Sequence, residues 1–279
     1  MPNTFCHKNV VFIGAGNVAT HLSQAMKGAG FSIRQIFSRT ADSAKPLADI
    51  CGCGFTMDVK KILPDADLYI FSLKDDALPE IIAGLSTNNI PAKNGLWVHT
   101  AGSVHIDVFK GFTKHYGVIY PLQTLSKSRE TDFSKIPLFV EGNTESIENE
   151  IFNITSTLSE NVTRMTSEKR KHLHLAAVFA SNFSNHMYAI AAQILEKQGV
   201  DYKILQPLID ETANKLHSMS PKQAQTGPAV RYDVNIIERH LSMLEDENIR
   251  KLYKIISENI AKAKLFSGQL SVDSKKTDN

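Results

Sequence analysis

The sequence predicts an α/β protein with an N-terminal doubly wound sheet and a C-terminal all-helical domain. In the first half, short apolar runs alternate with helical segments. A glycine-rich turn separates the first apolar run from the first helix, and from Glu168 onward only helical periodicity remains. Because 279 residues exceed what one core usually supports, we place two domains at residues 1–166 and 167–279.

Composition and charge are those of an ordinary globular protein. Hydrophobic residues make up 42% of the chain and charged residues 22%. The 31 basic and 29 acidic side chains nearly balance, which argues against a nucleic-acid-binding face. No run approaches the roughly 20 apolar residues that span a bilayer. We therefore expect a cytoplasmic protein that binds neither membrane nor nucleic acid.

Its three cysteines, Cys6, Cys51 and Cys53, predict neither a disulfide framework nor a metal site.

The first predicted strand, Asn9–Ile13, leads directly into the motif GAGNVA and a helix. Gly14 permits a tight turn, Gly16 allows the backbone to approach a pyrophosphate, and Ala19 allows the helix to pack on the strand. The helix N-terminus then faces the phosphates. This arrangement predicts a Rossmann unit that binds a dinucleotide. Its predicted contacts in this turn are Gly14, Gly16, Asn17 and Val18.

The next strand, Ser32–Phe37, ends at three polar residues, Ser38, Arg39 and Thr40. Enzymes that use NAD usually place a carboxylate here, against the ribose 2′-hydroxyl. A guanidinium instead pairs with a 2′-phosphate, and the two hydroxyls add donors. We therefore predict NADP(H) as the cofactor. The alternative is that Arg39 is only a solvent-exposed surface residue.

Small and polar residues follow two later strands, and ligands of such sheets bind at the carboxyl ends of the strands. We predict that Leu73, Asp75, Thr100, Ala101 and Gly102 contact the cofactor. Asp75, like Asp76, could instead cap a helix or lie in its first turn, and His99 could be a core residue. The later predicted strands are Asp67–Leu73, Leu96–Thr100, Tyr116–Tyr120 and Pro137–Glu141.

The helical half begins with a long amphipathic run that carries polar residues on one side. At helical spacing, His174, Ala177, Ser181 and Asn185 share one stripe, with Asn182 about 80° round the axis. Such a stripe needs partners, so it could line a ligand cleft or face another helix or a dimer mate. The predicted helices are Glu168–Lys197, Tyr202–His217, Asn235–Leu244 and Glu247–Phe266.

Seven motifs occur along the chain in a characteristic order: GAGNVA, SLKDDAL, HTAGS, YPLQTLS, HLHLAAVFASNFSNHMY, QPLIDETANK and QTGPAVRYD. Together they resemble the Rossmann-like proteins that carry the C-terminal domain of unknown function 2520. The resemblance implies an NADP-binding domain related to pyrroline-carboxylate reductase and the deazaflavin/NADP oxidoreductases. It also implies an all-α domain like that of 6-phosphogluconate dehydrogenase, through which such proteins form homodimers.

The chain departs from those relatives at several positions. Asn182 falls where the β-hydroxyacid dehydrogenases have a catalytic-helix asparagine. One turn earlier, where they keep a lysine, this chain has Val178. Lys171 is eleven residues from Asn182, roughly 16 Å along a helix, and cannot replace that lysine. Related sequences often have glycine at Tyr232 and histidine at Tyr120, so their substrates are not transferred here.

The nicotinamide itself carries the hydride, so the protein must orient the substrate and supply a proton donor. His174 is the first candidate because histidine titrates near neutrality. Tyr120 is the second, although it could be only a packed aromatic, and Asn182 completes the predicted catalytic set. Arg231 could anchor an anionic substrate or pair with Asp233, which could only cap a helix. The predicted substrate contacts are Ser103, Ser181, Asn185, Thr226, Arg231 and Asp233.

Two functions are compatible with these features. The first is an NADP(H)-dependent oxidoreductase that transfers hydride to or from a small carbonyl, imine or hydroxyacid. The second is a dinucleotide-binding sensor or scaffold that has kept the fold without the chemistry. The polar stripe around His174 favours the enzyme, since a scaffold has no need of it.

Overall fold

The computed structural model of the chain describes residues 8–87 and 95–273, with side chains to residue 263. Cys6 lies outside the described residues. The chain divides into two compact units, one ending at Phe183 and the other beginning at Ser184. This division lies inside the first helical run, later than the boundary that we predict between residues 166 and 167.

A single sheet forms the centre of the first unit. Its eight strands lie in the order β3-β2-β1-β4-β5-β6-β7-β8, and all neighbours are parallel except β6 and β7. The order reverses beside β1, which confirms the predicted doubly wound Rossmann sheet. The strands are β1 (Asn9–Ile13), β2 (Ser32–Phe37), β3 (Gly54–Thr56), β4 (Leu68–Phe71), β5 (Leu96–His99), β6 (Tyr116–Pro121), β7 (Leu138–Gly142) and β8 (Val162–Arg164).

Helices cover both faces of this sheet, because its buried strands are apolar on both sides. In β1, Val10 and Phe12 enter one hydrophobic core, whereas Val11 and Ile13 enter the other. Ala19, in the glycine motif, is fully buried in the first core and packs α1 on the sheet, as predicted. The helices are α1 (Asn17–Gly28), α2 (Ala41–Cys51), α3 (Leu78–Thr87), α4 (Glu145–Ser156) and α5 (Ser167–Ala177).

The six predicted strands agree with the structure to within two residues at each end. Strands β3 and β8 are not predicted, because each has only three residues and lies at an edge of the sheet. Three residues are too few to show the alternation that marks a strand.

The run that we predict as one α-helix from Glu168 to Lys197 is interrupted. Helix α5 ends at Ala177, a π-helix spans Val178–Phe183, and α6 covers Ser184–Glu196. A π-helix has i→i+5 hydrogen bonds and more residues per turn than an α-helix. The α-helical spacing at which the polar stripe is drawn therefore does not hold from Val178 onward.

The second unit is helical throughout the part that the structure describes, as predicted. Helices α7 to α11 are Gln206–Lys215, Pro221–Ala224, Pro228–Arg231, Val234–Met243 and Glu247–Asp273. Tyr232 follows α9 with φ of 58°, the one positive value among described non-glycine residues. Only glycine adopts this conformation without strain, which accounts for the glycine that related sequences often have there. No helix within residues 8–87 and 95–273 is long and apolar enough to cross a membrane.

His99 is a core residue, which resolves the alternative left open by the sequence. It ends β5 with no exposed surface, and its Nδ1 accepts a hydrogen bond of 3.2 Å from the Ala101 amide. Desolvation, with a smaller effect of the Arg170 charge, lowers the pKa of His99 from 6.5 to about 3. The imidazole is therefore neutral throughout the physiological range.

We expect this histidine to make the fold sensitive to acid. Its pKa is lower in the folded chain than in the unfolded chain, so the unfolded state takes up the proton first and stability falls as pH drops below 6.5. Urea unfolding should show a loss of about 2 kcal/mol from this group between pH 7 and pH 5. His99→Asn keeps an acceptor for the Ala101 amide but does not titrate, so its loss should be smaller by that amount. Equal losses would contradict the assignment.

Candidate functional site

A cleft of about 930 Å³ opens at the carboxyl ends of β1, β4, β5 and β6, within the first unit. This is where ligands bind in a doubly wound sheet. Four segments that the sequence singles out meet there, together with the chain that follows β6. The cleft is lined by residues 16–18, 72–75, 100–102 and 120–125, and by residues 173, 174, 176–178 and 180–182 of α5 and the π-helix.

The two glycines after β1 have different structural roles. Gly14 has φ of +115°, and a Cβ there would lie 2.1 Å from the carbonyl oxygen of Ser72. A Cβ on Gly16 would meet nothing within 4 Å, because this glycine faces the open cleft. No side chain caps α1, whose first residues Asn17 and Val18 also line the cleft. The helix N-terminus is thus open to an anion, as a dinucleotide pyrophosphate requires.

The polar residues after β2 lie at the surface beside this turn. The Gly14 amide donates to the Phe37 carbonyl at 2.8 Å, which joins the ends of β1 and β2. Arg39 is exposed and makes no ion pair with any described residue, and Thr40 donates to Ser43 Oγ at 3.0 Å. Ser38 is half-buried. None of these three residues lines the cleft, so their contact with a 2′-phosphate stays a prediction.

The loops after β4 and β5 are joined by side-chain hydrogen bonds. Ser103 Oγ donates to the Asp75 carboxylate, and Thr100 Oγ1 donates to Ser72 Oγ at 3.3 Å. Lys74 occupies the N-cap of the short helix here, so Asp75 does not cap it; Asp75 and Asp76 both lie in its first turn, as the alternative also allows. Asp76, also in that helix, does not line the cleft. The predicted cofactor contacts Leu73, Asp75, Thr100, Ala101 and Gly102 all line the cleft, whereas Ser103 does not.

The imidazole of His174 lies between a strand and a loop. Its Nδ1 is 3.0 Å from the Tyr120 hydroxyl, and the two rings meet edge to face. On the other side, a Cβ added to Gly102 would lie 2.5 Å from the same Nδ1. Burial raises the pKa of Tyr120, although the Arg170 charge opposes this, so the phenol is neutral. The structure thus brings together two of the three residues predicted for catalysis.

Asn182, the third of them, lines the same cleft because of the π-helix. At α-helical spacing it would lie about 80° from His174 round the helix axis. Extra residues per turn reduce that angle, which brings Asn182 round to the side of His174. Ser181 lines the cleft as well. Val178, where related dehydrogenases keep a lysine, also lies there.

The remaining predicted substrate contacts belong to the second unit, and their place relative to this cleft stays a prediction. Asp233 caps α10, accepting a hydrogen bond of 3.4 Å from the Ile236 amide, as the simpler alternative proposes. Arg231 forms no ion pair with it in the described chain. Thr226 lines a separate apolar cleft of about 280 Å³. Asn185 lies in α6, beyond the π-helix.

Sequence reasoning missed two polar residues that line the first-unit cleft. Gln123 and Thr124 lie just after β6, separated from it by Leu122. They belong to the motif YPLQTLS, and their place after a parallel strand could have identified them.

The doubly wound sheet and the open glycine turn define a coenzyme-binding protein of the Rossmann type. Residues 9–94 match the family model of NADP oxidoreductase, coenzyme F420-dependent, and residues 136–260 match the domain of unknown function 2520. A Bacteroides fragilis protein, provisionally assigned as an NADP oxidoreductase, is 46% identical in sequence. The match covers 93% of this chain and 100% of that one, with a TM-score of 0.89. The chain belongs to this family of NADP oxidoreductases, which confirms the predicted resemblance and its cofactor, NADP.

More distant structures share the fold alone. An imine reductase from Myxococcus stipitatus in complex with NADP+ is 14% identical, covering 94% of both chains, with a TM-score of 0.60. A 1-pyrroline-5-carboxylate reductase from Streptococcus pyogenes is 15% identical, covering 92% of this chain and 98% of its own, with a TM-score of 0.62. No curated protein sequence matches the chain significantly.

The two glycines give a matched pair of variants. Gly14→Ala should destabilise the fold by about 2–4 kcal/mol, because the methyl group collides with the Ser72 carbonyl at a strained φ. Gly16→Ala should change stability by less than about 1 kcal/mol, since its methyl group meets no protein atom. It should nevertheless weaken NADPH binding about tenfold or more, because that space is left for the pyrophosphate. Chemical unfolding and fluorescence titration measure the two effects, and equal NADPH affinity in Gly16→Ala would contradict the binding site.

Proposed function

We propose that this chain is an NADP(H)-dependent oxidoreductase with His174 and Tyr120 as its proton-donating pair. It reduces a small carbonyl or imine compound, or oxidises a hydroxyacid in the reverse direction. The observation that carries the proposal is the 3.0 Å contact between His174 Nδ1 and the Tyr120 hydroxyl. Both residues line the cleft into which the uncapped N-terminus of α1 opens. A hydride donor and a proton donor are the two components that such a reduction needs.

The chain fits the dinucleotide in this cleft. Gly16, Asn17 and Val18 hold the pyrophosphate at the helix N-terminus, and the space beside Gly16 admits it. Residues 73, 75 and 100–102 flank the rest of the cofactor. Arg39, with Ser38 and Thr40, binds the 2′-phosphate. When bound, NADPH supplies the hydride that is transferred to the substrate carbon.

The proton comes from the histidine. In the imidazolium form, Nδ1 donates to the phenol oxygen of Tyr120, which leaves the Nε2 proton for the substrate. That proton passes to the substrate nitrogen or oxygen as the carbon accepts hydride, so the C=N or C=O double bond becomes a single bond. Burial keeps Tyr120 a neutral phenol, which fixes the ring as a hydrogen-bond partner in both protonation states. Ser181 and Asn182 hydrogen-bond and orient the substrate from the π-helix.

The second unit serves dimerisation in this proposal. Helices α6, α7 and α10 have no buried residues within one copy of the chain. Large apolar side chains, among them Leu208 and Met243, are 63% and 72% exposed. A second copy of the chain would cover such surface, since monomers rarely leave large apolar patches exposed.

One observation favours a different function, a dinucleotide sensor without turnover. Val178 occupies the wall of the cleft where related dehydrogenases keep a lysine. Lys171 does not replace that lysine, because it pairs with the exposed Glu168 at 2.9 Å. In the sensor, His174 and Tyr120 would contact the bound dinucleotide only.

Cofactor choice is tested at Arg39. Arg39→Ala should weaken NADPH binding about 10- to 100-fold, since it removes charge-assisted hydrogen bonds to the 2′-phosphate. NADH binding should change little because NADH lacks that phosphate. Fluorescence titration of both cofactors gives the ratio directly, and an equal loss for the two would show that Arg39 is only a surface residue.

Catalysis is tested by a panel of keto acids, cyclic imines and aldehydes, with NADPH oxidation as the signal. His174→Ala should lower kcat/KM about 100- to 10,000-fold on the substrate found, as loss of a general acid does. Tyr120→Phe should lower it less, about tenfold, because the imidazole remains. Both variants should bind NADPH as the unchanged protein does. Tight NADPH binding without turnover of any compound would support the sensor instead.

A further inference from the structure

A buried arginine lies one helical turn before His174. Arg170 has no exposed surface, and its Nη1 donates to a carboxylate oxygen of Glu141 in β7 at 2.6 Å. Its Nη2 donates to the Val104 carbonyl at 2.6 Å and to Ser167 Oγ at 3.0 Å. One guanidinium therefore joins helix α5 to a strand and to the loop that follows β5.

Ser167 completes this network. Its hydroxyl donates to the same Glu141 oxygen at 2.6 Å and accepts a hydrogen bond from the Ile106 amide at 3.0 Å. The loop after β5 is thus held at residues 104 and 106 by the first turn of α5. The same loop contains Gly102, against which the imidazole of His174 lies.

We propose that Arg170 is a positioning residue that fixes the imidazole of His174 between Gly102 and the Tyr120 hydroxyl. This inference rests on the proposed function, because its effect on turnover requires that His174 donate a proton. The helix that carries the imidazole and the loop that supports it are the two elements that Arg170 joins. A Cβ added to Gly102 would lie only 2.5 Å from Nδ1, so the ring occupies the space that a side chain on this loop residue would fill. A shift of about 1 Å between helix and loop would therefore break the alignment with Tyr120.

Stability alone does not account for this arginine. Removing a guanidinium from water is costly, and an apolar pair of similar volume often stabilises a fold as well or better. The Nε of Arg170 is buried without a hydrogen-bond partner among the described residues, which adds to the cost. What an apolar pair could not supply is directed hydrogen bonding to two other elements at once.

The test separates positioning from folding with paired variants. Arg170→Met leaves Glu141 unpaired and should lower the melting temperature. Combining it with Glu141→Gln removes the unpaired charge and should recover much of the lost melting temperature. Arg170→Lys keeps the ion pair with Glu141 but cannot contact the Val104 carbonyl at the same time. It replaces the double variant in the measurements if the double variant does not fold. Lys171→Gln, in an exposed ion pair on the same helix, is the matched control.

The direct measurement is nitrogen NMR of histidine-labelled protein without cofactor, at a pH where His174 is neutral and with His174→Gln to assign its signal. In the unchanged protein and the Lys171→Gln control, Tyr120 should donate to Nδ1 and hold the Nε2-protonated tautomer. In the folded double variant, or in Arg170→Lys, His174 should become a mixture of tautomers. A single unchanged tautomer in these folded variants would overturn the inference.

Turnover gives the second measurement. The double variant should show kcat lower by about 10- to 100-fold, with the Kd for NADPH unchanged. A kcat that recovers with the melting temperature would also overturn the inference, since a purely structural role predicts that recovery. If the unchanged protein turns over no substrate while the tautomer signature is lost in the variants, the proposed function fails and the positioning role stands.

Discussion

The site depends on the contact between the His174 imidazole and the backbone at Gly102. A side chain at Gly102 would collide with the ring, so helix α5 can lie this close to the loop after β5 only because that residue is glycine. The contact leaves Nδ1 facing the Tyr120 hydroxyl at the end of β6. Three elements distant in sequence thereby form one wall of the cleft, which is the preorganisation that proton transfer requires.

The dinucleotide half of the cleft follows a separate constraint. Gly14 is required by its positive φ and by the Ser72 carbonyl beside it, whereas Gly16 is adjacent only to open space. The first glycine therefore maintains the sheet, and the second leaves room for a ligand. Because the two halves are built by different residues, the chain could bind NADP without reducing anything, which is why sensor and reductase are distinguished by turnover and not by binding.

The parts of the fold and of the cleft that depend on local sequence patterns could be predicted from the sequence. The glycine turn, the six longer strands and the helical second half follow from periodicity and spacing, and the residues at strand ends could be assigned to the cleft. The π-helix could not be predicted, because a stripe at 3.6 residues per turn presupposes an α-helix. At that spacing Asn182 lies about 80° from the stripe of His174, although both residues line one cleft. The Tyr120–His174 bond and the Arg170–Glu141 pair join residues far apart in sequence, and single-sequence patterns contain no information on such pairs.

Family membership and the geometry of the site agree on NADP as the cofactor. The central claim is that hydride donor and proton donor meet in one cleft. A crystal structure with NADP+ tests it most directly. We predict the pyrophosphate at Gly16, the 2′-phosphate at Arg39, and the nicotinamide beside Gly102, with His174 Nε2 facing the same space above the ring. A nicotinamide that points away from His174, or that is separated from it by protein atoms, would contradict the claim.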